Sequence, residues 1–258
     1  MITAHADVVG SLLRPPELIE ARSRFAAGEI DAARFREIED RAVCNAIALQ
    51  ETAGLEVVTD GEMRRQSFQS QMTAAVAGFG DFGMDAFLWG EWHNAQGTVR
   101  KARPQNLGAT GKLVRKRYLS TDEFTYLKNK TSRVPKITLP SPGLWANFWS
   151  REHSRAAYPT LDGFLADIVQ LLREEVQELA RLGARYIQID APHYGLMLDA
   201  KDTAFLRRAG LESGPMVDAR HRSWTMRSSP DFQALLSRSI SDAAIRAAGG
   251  SPWKNREK

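Results

Sequence analysis

The chain has 258 residues, of which 43% are hydrophobic and 26% charged, and its formal net charge is +4. This length is enough to bury the core of one complete (β/α) barrel, and the composition is that of an ordinary globular domain. The sequence has neither an apolar run of about 18 residues nor a basic, apolar leader, and it therefore predicts a cytoplasmic protein without membrane spans.

The positive charge is concentrated at the C-terminal end. From Met216 onward there are eight Lys or Arg and four Asp or Glu, which leaves 27 residues of each sign upstream. A nucleic-acid-binding surface needs basic residues clustered on a folded face, and this distribution does not indicate one. The single cysteine, Cys44, excludes an intramolecular disulfide and any site in this chain that needs two thiolates.

Residues 5–11 (HADVVGS) predict a short strand that ends at Gly10 and Ser11. A glycine at the end of a barrel strand lets a backbone N–H approach a ligand, and the serine adds a hydroxyl group. Gly10 and Ser11 are therefore candidate substrate contacts. A plain turn into a helix opened by Pro15 or Pro16 explains these residues equally well.

Helices are predicted at residues 16–27 and 31–52. In the second helix the apolar residues recur at helical spacing, Asp31 is a suitable N-cap, and Gly54 follows the end. Cys44 lies within this pattern and is interpreted as a small apolar residue rather than a nucleophile.

The second predicted strand covers residues 55–62 and ends in Asp60, Gly61 and Glu62. Met63 and two arginines, Arg64 and Arg65, follow it. A carboxylate can accept hydrogen bonds from an ammonium group, and a guanidinium can bind a carboxylate with two bonds, so the pattern suits a zwitterionic ligand. The alternative is a surface network in which the two acids pair with the two arginines.

Residues 68–119 predict a long, aromatic-rich insertion after the second strand, with a β-hairpin formed by 99–103 and 112–118. Its aromatic side chains could stack on a flat heterocycle, although packing of a long loop on the body is the commoner use. His93 lies here, and a lone histidine is weak evidence for a metal site or a base.

The third and fourth strands are predicted at residues 136–140 and 186–190. The fourth follows an amphipathic helix that ends near Gly183, and it delivers Asp190 to its C-terminal end. In a (β/α) barrel that end carries the active site, although a carboxylate there can also simply cap the next turn. Beyond residue 214 no further strand ending in a carboxylate is recognised.

Four motifs in this order, GSLLRPPEL, DGEMRR, ITLPSPG and ARYIQIDAP, resemble the catalytic C-terminal domain of the cobalamin-independent methionine synthase family. The resemblance covers roughly residues 5–210. It implies a TIM-type (β/α)8 barrel of which about the first four βα units are present. It divides the chain into a partial barrel, residues 1–214, and a diverged basic tail, residues 215–258, that is helical or disordered.

The resemblance also implies a reaction, the transfer of a methyl group from methyltetrahydrofolate to the thiol of homocysteine, which a zinc ion holds as thiolate. By motif, Gly10 and Ser11 would contact the carboxylate of the amino acid. Glu62 and Asp190 would accept hydrogen bonds from its ammonium group. Trp145 and Phe148 would lie near the folate.

Two departures from the family pattern leave alternatives open. Ala191 stands where the family usually has a glutamate, and the later His-x-Cys, glutamate and cysteine zinc ligands are not identified; the weak metal candidates are His5, His93 and His193. One alternative is a related alkyltransferase with another acceptor thiol such as coenzyme M. The other is an inactive remnant that binds an amino acid weakly and self-associates through open sheet edges.

Overall fold

A computed structural model describes residues 6–80, 92–93, 99–100 and 108–191 of the chain. The helices in these ranges are α1 (Pro16–Ala26), α2 (Ala32–Thr52), α3 (Ser70–Ala75), α4 (Thr121–Lys130) and α5 (Leu161–Arg181), with a 3-10 helix at Pro142–Phe148. The strands are β1 (Val57–Val58), β2 (Val76–Gly80), β3 (Trp92–His93), β4 (Val99–Arg100), β5 (Gly108–Arg115), β6 (Val134–Pro140) and β7 (Tyr186–Asp190).

A parallel sheet in the order β1, β6, β7 positions the candidate site. The register pairs Lys136 with Tyr186 and Pro140 with Asp190, and the N–H of Ser141 donates to the carbonyl of Asp190 at 2.8 Å. The three strands correspond to the second, third and fourth predicted strands, and these predictions are confirmed. Because the strands are parallel, the loops that follow them meet at one edge of the sheet.

The first predicted strand is not formed, since residues 6–10 have no strand conformation. Val9, its expected apolar centre, is 65% exposed. Instead of a ladder, single hydrogen bonds hold this segment to the sheet: Gln188 Nε2 donates to the carbonyl of Val9 at 2.9 Å, and the N–H of Leu12 donates to the carbonyl of Gly61 at 3.1 Å. The described residues therefore form part of a barrel wall and not a closed barrel.

The predicted long helices are confirmed, with their caps. Asp31 accepts from the N–H of Arg34 at 2.7 Å at the start of α2. At the start of α5, the Thr160 hydroxyl accepts from the N–H of Gly163 at 3.2 Å. Seven residues recur at helical spacing on the buried face of α5, as expected for a helix that covers a sheet: Phe164, Ile168, Leu171, Leu172, Glu175, Val176 and Leu179.

The hairpin is formed by other strands than the sequence predicts. β2 pairs with β5 in antiparallel orientation, and β3 pairs with β4. Gly78 makes the first pairing possible, because a Cβ atom at this position, where φ is +103°, would lie 2.5 Å from the carbonyl oxygen of Lys112. This close backbone approach is specific to glycine, and apolar periodicity alone did not reveal it.

Apolar packing joins the hairpin to the parallel sheet. Phe79 of β2 contacts Trp145 and Phe148 of the 3-10 helix, with ring centroids 6.0 and 6.3 Å apart. Tyr158 packs edge-on against Phe164 of α5 in the same cluster. The hairpin thus closes one end of the hydrophobic core.

The outer edges of β1 and β7 pair with no further strand among the described residues. Self-association through these edges stays a prediction. Within the described ranges no helix combines the length and apolar character that crossing a membrane requires.

Candidate functional site

The loop after β1 has an unusual backbone at its two central residues. Gly61 and Glu62 both have positive φ angles, +68° and +57°. The loop is held by its own polar groups, because the N–H of Gly61 donates to the Thr59 hydroxyl at 3.0 Å and the N–H of Glu62 donates to Asp60 Oδ1 at 2.9 Å. A left-handed glutamate costs about 1–3 kcal/mol, so this geometry is typical of a functional position.

The Glu62 side chain is buried, and three side chains donate to it. Ser11 Oγ donates to Oε2 at 2.5 Å, while Thr138 Oγ1 and Arg65 Nη1 donate to Oε1 at 3.1 and 3.2 Å. An ionised carboxylate has about four acceptor positions, so one position, on the Ser11 side, is left for a further donor. The carboxylate is therefore held in place with capacity for a ligand.

Arg65 uses all five of its N–H donors inside the protein. Nε and Nη2 donate to Glu123 Oε2 at 3.2 and 3.0 Å, and Nη2 also donates to the carbonyl of Thr138 at 2.9 Å. Nη1 donates to the Thr138 hydroxyl at 2.9 Å and to Glu62 at 3.2 Å. The alternative interpretation is correct in pairing Glu62 with Arg65, but with side-chain exposure of 5% for Glu62 and 2% for Arg65 the pair is buried and does not lie on the surface.

Three carboxylates share this one buried guanidinium: Asp60, Glu62 and Glu123. Burial raises the pKa of Asp60, and Asp60 Oδ2 is a buried atom without a hydrogen-bond partner among the described residues. Burial also raises the pKa of Glu123 to about 7, against the opposing effect of Arg65. The carboxylates in turn raise the pKa of Arg65. Formally the cluster has three carboxylates against one guanidinium, and a nearby cation would stabilise the ionised forms of the two carboxylates whose pKa burial raises.

Asp190 ends β7 at the same edge of the sheet. Gln188 Nε2 donates to its Oδ1, and the side-chain Oε1 of Gln188 accepts from Lys136 Nζ at 2.6 Å. Lys136 Nζ also donates to Asp7 Oδ2 at 2.7 Å. Partial burial raises the pKa of Asp190, and the negative charge of Glu62 raises it further, so the two carboxylates lie within electrostatic reach of each other.

Two arginines of the N-terminal region fix the loop after β1 through its carbonyl groups. Arg14 Nη2 donates to the carbonyls of Glu62 and Arg65 at 3.2 and 3.0 Å, and Arg22 Nη1 donates to the same Arg65 carbonyl at 2.9 Å. Together with the Ser11 hydroxyl, these bonds anchor residues 11–22 on the site without a β-ladder.

The structure brings together part of the predicted site. Ser11 and Glu62 are in direct contact, and Asp190 lies at the same sheet edge. Gly10 is exposed, and a Cβ atom there would meet nothing within 4 Å. The Ser11 hydroxyl donates to Glu62. Contact of Gly10 and Ser11 with a substrate carboxylate stays a prediction.

The predicted folate-side residues lie in the core. Trp145 is 0% and Phe148 2% exposed, and their ring centroids are 4.8 Å apart. The indole Nε1 of Trp145 has no hydrogen-bond partner among the described residues. Both rings support the wall next to β6, and their contact with folate stays a prediction.

The described residues do not provide a zinc site, since no three His, Cys, Asp or Glu side chains in these ranges are arranged to hold a metal ion. His5 and His193 lie outside the described residues, and for His93 only the backbone of β3 is described. Cys44 lies in α2 with its Sγ 3.6 Å from the hydroxyl of Tyr126. The side chains of the described residues therefore do not fit a zinc ion.

Glu123 and Thr138 were not predicted as site residues from the sequence. No helix was predicted at α4, although Ser120 and Thr121 followed by two acids are typical of a helix start. Thr138 was counted only as a strand residue. Their roles depend on the packing of α4 beside β6, which local sequence patterns do not encode.

Comparison with known proteins identifies relatives of this chain. Residues 1–213 match the family described as the catalytic domain of cobalamin-independent synthase. The Bacillus subtilis protein YxjH is 30% identical over 206 residues, which are 80% of this chain and 52% of that protein. A methionine synthase of Pyrococcus horikoshii is 30% identical over 187 residues, 72% of this chain and 51% of the relative. The chain spans about half the length of these relatives.

Two solved structures have a fold similar to that of this chain. A putative vitamin-B12-independent methionine synthase from Listeria monocytogenes superposes with a TM-score of 0.56 at 22% identity, covering 94% of this chain and 61% of that one. A B12-independent methionine synthase from Shewanella sp. W3-18-1, solved in complex with selenomethionine, gives 0.54 at 18% identity, covering 78% and 54%. The chain therefore shares the α/β fold of these enzymes.

Proposed function

We propose that this chain, which belongs to the family of cobalamin-independent synthase catalytic domains, is a methyltransferase domain that binds homocysteine as methyl acceptor. The observation that carries the proposal is the Glu62 carboxylate, buried and held by Ser11, Thr138 and Arg65 with acceptor capacity to spare. The Shewanella structure of similar fold is a complex with selenomethionine, the selenium analogue of the methylated product methionine, which supports this substrate class.

The ammonium group of the amino acid would donate to Glu62 and to Asp190. Glu62 follows β1 and Asp190 ends β7, on either side of β6, and the Glu62 charge acts on Asp190. A cationic group between two carboxylates would stabilise their ionised forms. Two fixed acceptors orient the ligand, so that its sulfur has one position relative to the methyl donor. These residues bind and orient the acceptor, and no proton transfer is assigned to them.

The reaction would break the bond between the methyl group and N5 of methyltetrahydrofolate and form a bond between the methyl group and the homocysteine sulfur. The sulfur loses its thiol proton, and N5 of the tetrahydrofolate product gains one. The family resemblance implies a zinc ion that holds this sulfur as thiolate. Because the described residues do not fit such a site, no step is derived through zinc. Trp145 and Phe148 are proposed to support the folate side from within the wall.

Methyl transfer tests this proposal directly. Purified protein is incubated with methyltetrahydrofolate and homocysteine, methionine is quantified, and bound zinc is measured on the same sample. Methionine formation supports the assignment, and formation of a methylated product only with coenzyme M would instead identify the alternative acceptor. A folded protein that forms neither product and binds no zinc would support an inactive remnant.

A further inference from the structure

Glu123 enters the site from a helix that the rest of the protein holds firmly. It lies in the first turn of α4, with 6% side-chain exposure. The helix start is fixed from α5, because the fully buried Glu175 accepts from the N–H groups of Leu119 and Ser120 at 2.7 and 2.8 Å. The carboxylate of Glu123 therefore has a defined position beside the loop after β1.

Arg65 divides its donors unequally between the two glutamates. Its Nε and Nη2 atoms both point to Glu123 Oε2, at 3.2 and 3.0 Å, whereas only Nη1 reaches Glu62, at 3.2 Å, and shares that interaction with Thr138. Without Glu123, two donors of the guanidinium would be free to turn toward Glu62. The charge of Arg65 is thus directed away from the carboxylate with spare acceptor capacity.

The charged and polar groups around Glu123 come from the loop after β1 and from α3. The loop after β1 contributes Arg65, Glu62 and Asp60, whose charges all act on the Glu123 carboxyl group. From α3, the Gln71 amide donates to Glu123 Oε1. Among these groups only Arg65 is cationic, and it faces three carboxyl groups.

We propose that Glu123 is a positioning residue for substrate specificity: it holds the Nε and Nη2 donors of Arg65 away from Glu62, which only Nη1 reaches, and so keeps Glu62 selective for an ammonium group. This inference rests on the proposed function and deepens it. It assigns to Glu123 the discrimination between an amino-acid thiol and the same thiol without an amino group.

The test compares L-homocysteine with 4-sulfanylbutanoate, which lacks the amino group, in calorimetric titrations under reducing conditions. Glu123→Gln preserves the shape and an acceptor oxygen but removes the charge. Glu174→Gln is the matched control, because it removes the same charge from another ion pair with an arginine. In that pair Arg115 Nε of β5 and Glu174 Oε2 of α5 are 3.1 Å apart. The wild type and E174Q should prefer L-homocysteine, and E123Q should lower this preference about tenfold through weaker L-homocysteine binding alone.

An unchanged preference in E123Q would overturn the inference, and so would an equal loss for both compounds, which a purely structural role produces. If the wild type binds neither compound, the proposed function is contradicted, and the position of Arg65 is then decided without ligand. In that case a crystal structure of E123Q should show Nε or Nη2 of Arg65 turned from residue 123 toward Glu62. An Arg65 side chain in its wild-type position would overturn the inference on its own.

Discussion

Arg65 and Glu123 form a buried ion pair between the loop after β1 and helix α4, with Nη2 and Oε2 3.0 Å apart. Their side chains are 2% and 6% exposed. The pair links two parts of the chain that are 58 residues apart, and Thr138 of β6 connects it to Glu62. The conformation of the candidate site therefore depends on the packing of α4 and not only on the strand ends.

Removing the guanidinium should strongly destabilise the fold. Arg65→Met leaves Glu62 and Glu123 buried without their cationic partner, and we expect the free energy of unfolding to fall by about 3–5 kcal/mol. Urea denaturation measures this change. Arg181→Met, which removes a 70% exposed arginine from the pair with Glu178, is the control and should leave the denaturation midpoint nearly unchanged. Equal effects of the two substitutions would contradict the buried role of Arg65.

Stability should decrease as pH rises toward neutrality. The pKa of Glu123 is about 7 in the folded protein, above its model-compound value of 4.5, so the folded state binds this proton more tightly than the unfolded state. The stabilising contribution of the proton is complete below about pH 4.5 and is lost by about pH 7, a change of roughly 3 kcal/mol. Denaturation at several pH values measures it, and Glu123→Gln should flatten this part of the profile.

A side chain at Gly61 should destabilise the loop after β1. A Cβ atom there would lie 3.1 Å from the Ala46 Cβ and from the Met63 Cε, at a φ of +68°. Gly54 has a φ of +81° but open space, so Gly54→Ala measures the cost of the left-handed conformation alone. We expect Gly54→Ala to cost about 1 kcal/mol and Gly61→Ala about 1–3 kcal/mol more, because contacts must shift. Identical denaturation midpoints would show that the loop adapts.

The sequence predicted the elements with strong periodicity and the carboxylates at strand ends. The spacing of apolar residues identified α2 and α5, and Asp190 was correctly placed at the end of β7. Residues 5–11 had the composition of a strand, but their polar contacts with Gln188 and Gly61 replace a ladder. The composition of a short segment does not distinguish these two outcomes.

The buried polar contacts of the site could not be predicted from the sequence for a different reason. Arg65 looked like a surface residue because arginines usually are, and its burial depends on two acids and a threonine that come from separate elements. Trp145 and Phe148 were expected beside a ligand, and the structure places them in the core behind the same wall. Which face of an aromatic segment is buried depends on the β2–β5 hairpin, whose pairing was predicted incorrectly.

The most direct test of the account is the affinity of the wild type and of Glu62→Gln for L-homocysteine, measured by calorimetric titration at neutral pH. Glutamine retains an acceptor oxygen but loses the charge that the ammonium group would meet, and a charge-assisted hydrogen bond contributes about 1.5–3 kcal/mol. We therefore predict an affinity about 10-fold to 100-fold weaker for the variant, at unchanged folded content. Equal affinities would contradict the assignment of Glu62 as the residue that recognises the amino acid.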